Sequence, residues 1–303
     1  MTSANPFSLP DKKGYQMLYR DFSTQADLDA VYDVEAAVPD FQGYLDQFEQ
    51  ANLRTRSELE YKPDVPFGLG IDERLDLFPA APMSGRPPIV IFVHGGYWRL
   101  SQGRDYDFVA RGLHRHAAVN VVNYSLAPKV PIWEIVRQVR AAIAWSWHNA
   151  DKVGGDRDRI YVIGHSAGAH LTVMAALTDW TREYGLPADL VKGAYAMSGL
   201  YDLRPLPYTF IGPALQLSTR EIFDLSPMLR DLPAEAPQLR IAYGDAETSE
   251  FIRQSDDFLL RWQQAGLHGD LSLRNARDHF SIMLDLADPE SDLVRDISAF
   301  LKS

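Results

Sequence analysis

Five residues, Gly164-His165-Ser166-Ala167-Gly168, carry the pattern Gly-x-Ser-x-Gly, and their surroundings suit a serine that attacks a carbonyl. The run before them, Arg159-Ile-Tyr-Val-Ile163, is apolar and β-branched, which predicts a buried strand. The run after them, reaching Leu177, is small and apolar and predicts a buried helix. A strand that turns this sharply into a helix strains its central residue. Side chains at the flanking glycines would collide with the neighbouring strand or helix. The hydroxyl then stands clear of the backbone, at the positive end of the helix. Such a pattern also arises by chance, so partners for the serine decide its meaning.

A serine hydroxyl needs a base to take its proton and a carboxylate to orient that base. His279 is the best-placed base, in the polar loop Asn275-Ala-Arg-Asp-His-Phe280 after the last predicted strand and C-terminal to the serine. His165 lies inside the turn and reads as structural, and His268 precedes a strand, which is the wrong end. His114 and His116, two apart on a predicted helix, make a poor metal pair. The carboxylate should follow the strand ending at Tyr243, where Gly244-Asp-Ala-Glu-Thr-Ser-Glu250 offers Asp245, Glu247 and Glu250. Asp202 is a weaker fourth candidate. Glu250 falls in a first helical turn, where the dipole alone favours an acid, and Asp245 could simply brace the turn. The residues themselves leave this choice open. A second signature, His94-Gly-Gly-Tyr-Trp98, follows the apolar run Ile89–Val93. Two glycines there let backbone N–H groups approach a ligand, and with the N–H of Ala167 they would stabilise an oxyanion. His94 reads as a brace for that loop.

The elements that must position these groups alternate. Strands are expected at 74–78, 89–93, 118–123, 159–163, 191–197, 239–243 and 271–273. Helices are expected at 107–116, 132–149, 167–177, 251–265 and 293–301. This rhythm predicts an α/β fold with a mostly parallel sheet covered by helices on both faces. Residues 1–60 are polar and helical in pattern, with Phe41, Tyr44, Leu45 and Phe48 on one face, and are expected to pack on the main body, 61–303. Residues 203–227 carry four prolines and scattered aromatics, too long for a plain connection, and suggest an inserted lid. There is no internal repeat.

Composition sets the outer bounds. The chain has 303 residues, 46% of them hydrophobic, enough for one sizeable core. A net charge of −11 without a basic cluster argues against nucleic acid. With no cysteine there is no disulfide, thiol nucleophile or cysteine-held zinc. The start of the chain lacks the basic-then-apolar pattern of a signal peptide, and no apolar run approaches the ~18 residues of a membrane span. A cytoplasmic protein acting on a small molecule, without membrane, metal or cofactor, is expected; a homodimer is compatible with the sequence.

These motifs resemble the α/β-hydrolase superfamily in its hormone-sensitive-lipase-like branch, and more narrowly the kynurenine formamidase family. The resemblance is carried by His94-Gly-Gly-Tyr-Trp98, Asn123-Tyr-Ser-Leu-Ala-Pro128, Gly164–His170, Ser198-Gly-Leu-Tyr-Asp-Leu-Arg-Pro205 and Glu250-Phe-Ile-Arg-Gln-Ser255, and runs from about Phe41 to the C-terminus. It implies a cofactor-free arylformamidase with Ser166 as nucleophile, His279 as base and an acid three residues after Gly244. That position is Glu247, where the family usually has aspartate. The same resemblance implies oxyanion donors at Gly96, Tyr97 and Ala167, with Gly95 allowing the turn. Tyr97 and Trp98 are expected to form an aromatic wall, closed over by Tyr208 and Phe210 of the lid. A carboxylesterase acting on small acyl or aryl esters is the alternative. Activity should fall on acidification as His279 gains a proton.

Overall fold

A computed structural model describes residues 17–302. The expected helical content of residues 1–16 lies outside them. Eight strands form one sheet: β1 (Lys62–Pro66), β2 (Arg74–Phe78), β3 (Pro88–Val93), β4 (Ala118–Val122), β5 (Asp156–His165), β6 (Val191–Met197), β7 (Gln238–Gly244) and β8 (Gly269–Arg274). Their order is β1-β2-β4-β3-β5-β6-β7-β8, with β1 and β2 antiparallel and every pairing from β4 to β8 parallel. β1 lies at the sheet edge and is mostly exposed, so it lacks the apolar pattern that marks the other strands.

Twelve α-helices accompany the sheet among the described residues. They are α1 (Gln25–Tyr32), α2 (Phe41–Glu58), α3 (Val109–Leu113), α4 (Ile132–His148), α5 (Ala150–Val153), α6 (Ala167–Ala176), α7 (Trp180–Tyr184), α8 (Gly212–Leu215), α9 (Thr219–Leu225), α10 (Ser249–Gln264), α11 (Ser281–Leu284) and α12 (Asp292–Phe300). The helix expected at 107–116 is shorter: a 3₁₀ turn, Gly103–Tyr106, precedes α3. The proline-rich stretch 203–227 holds a 3₁₀ turn and the short helices α8 and α9.

Why the sheet needs cover on both faces is visible in β3, where all six residues are buried. Ile89, Ile91 and Val93 pack with Ile135, Val139 and Ile143 of α4, whereas Val90 and Phe92 pack with α3 and with Leu293 and Ile297 of α12. Period-two alternation thus sends apolar groups into two separate cores. A third cluster, with Phe258 and Trp262 of α10, backs β6 and β7.

Parallel pairing aligns the carboxyl ends of the strands. Val93 lies beside Gly164, His165 beside Met197, and Gly244 beside Arg274. The loops that start at His94, Ser166, Ser198, Asp245 and Asn275 therefore open on one rim, the usual place for a ligand in such a sheet.

The N-terminal helices close that rim from one side. Phe48 of α2 is 6% exposed, with ring centroids 5.0 Å from Phe108 and 6.0 Å from Tyr106. Phe41 and Tyr44 of the same helix lie on Phe280, at 4.9 and 5.7 Å. If α2 is integral to the fold, Phe48→Ala should cost about 3–5 kcal/mol, as deletion of a buried aromatic does. Urea unfolding followed by tryptophan fluorescence measures this; a loss below about 1 kcal/mol would mean that α2 is merely laid on the surface.

Candidate active site

Ser166 ends β5 and caps α6, with φ 56° and ψ −121°. That left-handed backbone costs a non-glycine residue about 1–3 kcal/mol and persists only where its surroundings enforce it. They do so here by close packing. A Cβ on Gly164 would overlap the Gly168 carbonyl, and one on Gly168 would overlap the Val93 carbonyl. The Ser166 N–H donates to the Met197 carbonyl at 2.8 Å, which ties the turn to the neighbouring strand. The residue is 3% exposed, and the first N–H groups of α6, beginning at Ala167, have no helical acceptor.

The loop after β3 comes close to this turn. A Cβ on Gly95 would lie 3.0 Å from both the His165 carbonyl and the Ser166 Cβ, so Gly95 is there for proximity. The bend itself falls at Gly96, whose φ is +102°, and continues through Tyr97 and Trp98 with φ 49° and 57°. His94 fixes the loop from below. It is fully buried, its ring stacks on Tyr124 at 4.1 Å, and its Nδ1 lies 2.8 Å from the Gly95 carbonyl. Tyr124 donates its hydroxyl proton to the His94 carbonyl at 2.8 Å. Peptide planarity then turns the Gly96 N–H to the side opposite the held Gly95 carbonyl. Among the described residues, the N–H groups of Gly96, Tyr97 and Ala167 have no acceptor.

His279 and Glu247 are brought together: Nδ1 of His279 lies 2.8 Å from Oε2 of Glu247, and both side chains are buried. The other carboxylate oxygen, Oε1, accepts from the Ser198 hydroxyl at 2.6 Å and from the Gly244 N–H at 2.9 Å. Three donors therefore converge on one buried carboxylate, which offsets the cost of removing it from water. The other candidate acids are engaged elsewhere. Asp245 accepts from the Ala276 N–H at 2.7 Å and laces its turn to the histidine loop. Glu250 accepts from the Tyr32 hydroxyl at 2.8 Å and pairs with Arg253. Asp202 holds Tyr19 and Arg204.

The imidazole of His279 is walled by rings: Phe251 at 4.6 Å, Phe280 at 5.4 Å and His165 at 4.6 Å. Burial pushes His94 and His170 down to about 4. Burial, followed by repulsion from His279, holds His165 well below the ordinary imidazole range. These three are neutral packing groups at physiological pH. His170 fixes α6 to α9, with Nε2 2.7 Å from the Leu225 carbonyl.

The aromatic residues expected to line the site separate. Trp98 is not a wall: it is fully buried and meets His170 edge-on at 5.0 Å, because the left-handed backbone at 97–98 turns it under the loop. Tyr97 is 6% exposed, meets Phe251 and Phe210 edge-on at 6.3 Å each, and donates its hydroxyl proton to the Tyr32 carbonyl. Phe210 of the 203–227 segment thus reaches Tyr97 while remaining 37% exposed, and Tyr208 is 46% exposed with no ring contact among the described residues. Sequence reasoning assigned no role to Ser198, although it follows β6 just as Ser166 follows β5 and shares a positive φ of 53°. It expected the N-terminal segment to pack on the main body without assigning individual contacts. Tyr44 donates to Asp278 at 2.6 Å beside the histidine, and Thr248 after the acid donates to the Val31 carbonyl at 2.7 Å.

Among the described residues, no cluster of three or more His, Cys, Asp or Glu side chains is arranged for a metal, and no helix is long and apolar enough to cross a membrane.

A family model described as BD-FAE matches residues 75–197. Kynurenine formamidase from Danio rerio is 32% identical over 252 residues, covering 82% of this chain and 84% of that protein. Isoprenylcysteine alpha-carbonyl methylesterase from Arabidopsis thaliana is 26% identical over 246 residues, covering 74% of this chain and 58% of that one. Among solved structures, a Silicibacter sp. TM1040 protein provisionally described as a thioesterase superposes with TM-score 0.77 at 26% identity, over 89% of this chain and 98% of the other. With its eight-stranded, mostly parallel sheet of the α/β-hydrolase type, this chain is a hydrolase that belongs to the kynurenine formamidase family.

Proposed function

We propose that this chain hydrolyses aryl formamides of the N-formyl-L-kynurenine type through a formyl-serine intermediate. The observation that carries the proposal is the buried Glu247–His279 pair at 2.8 Å, on the same strand-end rim as a serine held on left-handed backbone. In this reading the Ser166 hydroxyl adds to the formyl carbonyl while Nε2 of His279 takes its proton. Glu247 stabilises the resulting imidazolium through Nδ1. The oxyanion accepts from the N–H groups of Gly96, Tyr97 and Ala167, which the Gly95 approach brings into range. Each such donor is worth on the order of 3 kcal/mol of barrier. Collapse breaks the C–N bond, and His279 returns the proton to the departing arylamine. Water, deprotonated by His279, then releases formate and restores the serine. The formyl group is the smallest acyl group, which suits a serine that is only 3% exposed.

A second reading, a carboxylesterase for small acyl or aryl esters, is favoured by glutamate at 247 and by the likeness to a methylesterase. Steady-state assays on N-formyl-L-kynurenine and p-nitrophenyl acetate separate the two. The formamidase proposal expects kcat/KM for the formamide to be at least tenfold the larger, and strong turnover of the ester alone would defeat it.

The role of the acid has its own test. Glu247→Gln keeps the shape but removes the charge that the imidazolium needs. It should lower kcat by about 10³–10⁴-fold, the scale seen when a triad carboxylate is neutralised. Asp245→Asn should lower it less than tenfold, because Asp245 reaches only the Ala276 N–H. The reverse ranking would hand the role to Asp245.

A further inference from the structure

Arg99 is a charged side chain on the loop after β3 for which the chemistry above has no use. Its guanidinium carbon sits 5.8 Å from the centre of the Phe210 ring. Phe210 meets Tyr97 at 6.3 Å, Tyr97 meets Phe251 at 6.3 Å, and Phe251 meets His279 at 4.6 Å. A row of rings therefore runs from the base of the site out to a cation.

Among the described residues that cation has no hydrogen-bonded or ion-paired partner. Nε of Arg99 is buried without a hydrogen-bond partner, and among the described residues no carboxylate closes an ion pair with it. The buried Nε leaves the Nη groups as the reachable donors, and a planar anion can accept two parallel hydrogen bonds from them. Carboxylates do stand nearby, on the turn after α1. Glu35 feels the charge of Arg99, and both Asp33 and Glu35 act on the Tyr97 phenol. Asp33 is partly used, accepting from the Ala36 N–H at 3.0 Å, whereas Glu35 is exposed and makes no hydrogen bond among the described residues. No ion pair or hydrogen bond joins either carboxylate to Arg99 among the described residues.

We propose that Arg99 binds the carboxylate of an aryl substrate bearing an α-amino acid, with the edge-to-face pair of Tyr97 and Phe210 lining one side of the arene. The proposal deepens the formamidase reading and rests on it for the identity of the arene. It makes Arg99 a specificity residue that acts on binding and does not touch the reacting carbonyl.

The test uses the full-length protein and two substrate pairs, each differing only at one carboxylate: N-formylkynurenine against its carboxamide, and 3-(4-acetoxyphenyl)propionate against 4-ethylphenyl acetate. In the wild type, kcat/KM should favour the carboxylated member of a pair. Arg99→Met should cut that preference about 10- to 100-fold, as loss of a charge-assisted bidentate contact does, mainly through KM. Arg99→Lys should retain part of it, and added salt should weaken it in the wild type more than in Arg99→Met. Equal preference in wild type and Arg99→Met would overturn the proposal. If neither kynurenine compound is turned over, the formamidase reading fails, and the acetate pair still decides whether Arg99 reads a carboxylate.

Discussion

The left-handed backbone of Ser166 is the constraint on which the rest of the structure depends. A serine relaxes to negative φ unless its neighbours forbid it, and here they are backbone. The Gly168 carbonyl lies against Gly164, the Val93 carbonyl against Gly168, and the Met197 carbonyl holds the serine N–H. Three adjacent strands therefore have to be in register before the turn can form. The fully apolar β3 and the buried half of β5 supply that register by filling cores on both faces of the sheet. The strain at one residue is held by burial summed over many.

Around this fixed point the polar groups divide into those that carry charge and those that do not. Glu247 is buried with three donors on its two oxygens and faces the imidazole. His94, His165 and His170 are held neutral by burial and serve as flat packing pieces, with His94 and His170 also bonded to backbone carbonyls. The histidine loop is held from outside by α2, through Phe41, Tyr44 and the hydrogen bond to Asp278. Tyr32, at the end of α1, reaches both the loop after β3 and α10. The N-terminal segment is thus part of the wall of the site.

Motifs that place backbone were readable in the sequence, because glycine spacing and apolar runs report local geometry. Gly164 lies at the end of β5, and Gly168 and the His94-Gly-Gly run come after their strands. Groups defined by long-range contact were not readable. Nothing local distinguishes Ser198 from an ordinary loop serine, and its bond to Glu247 joins residues 49 positions apart. Among Asp245, Glu247 and Glu250, the difference lies in which way each side chain leaves a tight turn, which residue type does not encode. Trp98 misled for a related reason. An aromatic next to a glycine loop suggests a ligand wall, but a positive φ at two successive residues turned it into the core. Tyr44 and Phe41 were visible as an apolar helical stripe, while the surface that would receive it was not.

The central claim is that Ser166 is a nucleophile activated by His279, and covalent capture tests it most directly. The protein would be incubated with a fluorophosphonate and its peptides sequenced by mass spectrometry, alongside His279→Gln. The account predicts a single phosphonylated residue, Ser166, formed in the native protein and at least a hundredfold more slowly in the variant. Labelling at another serine, or labelling of Ser166 at the same rate without the imidazole, would contradict it.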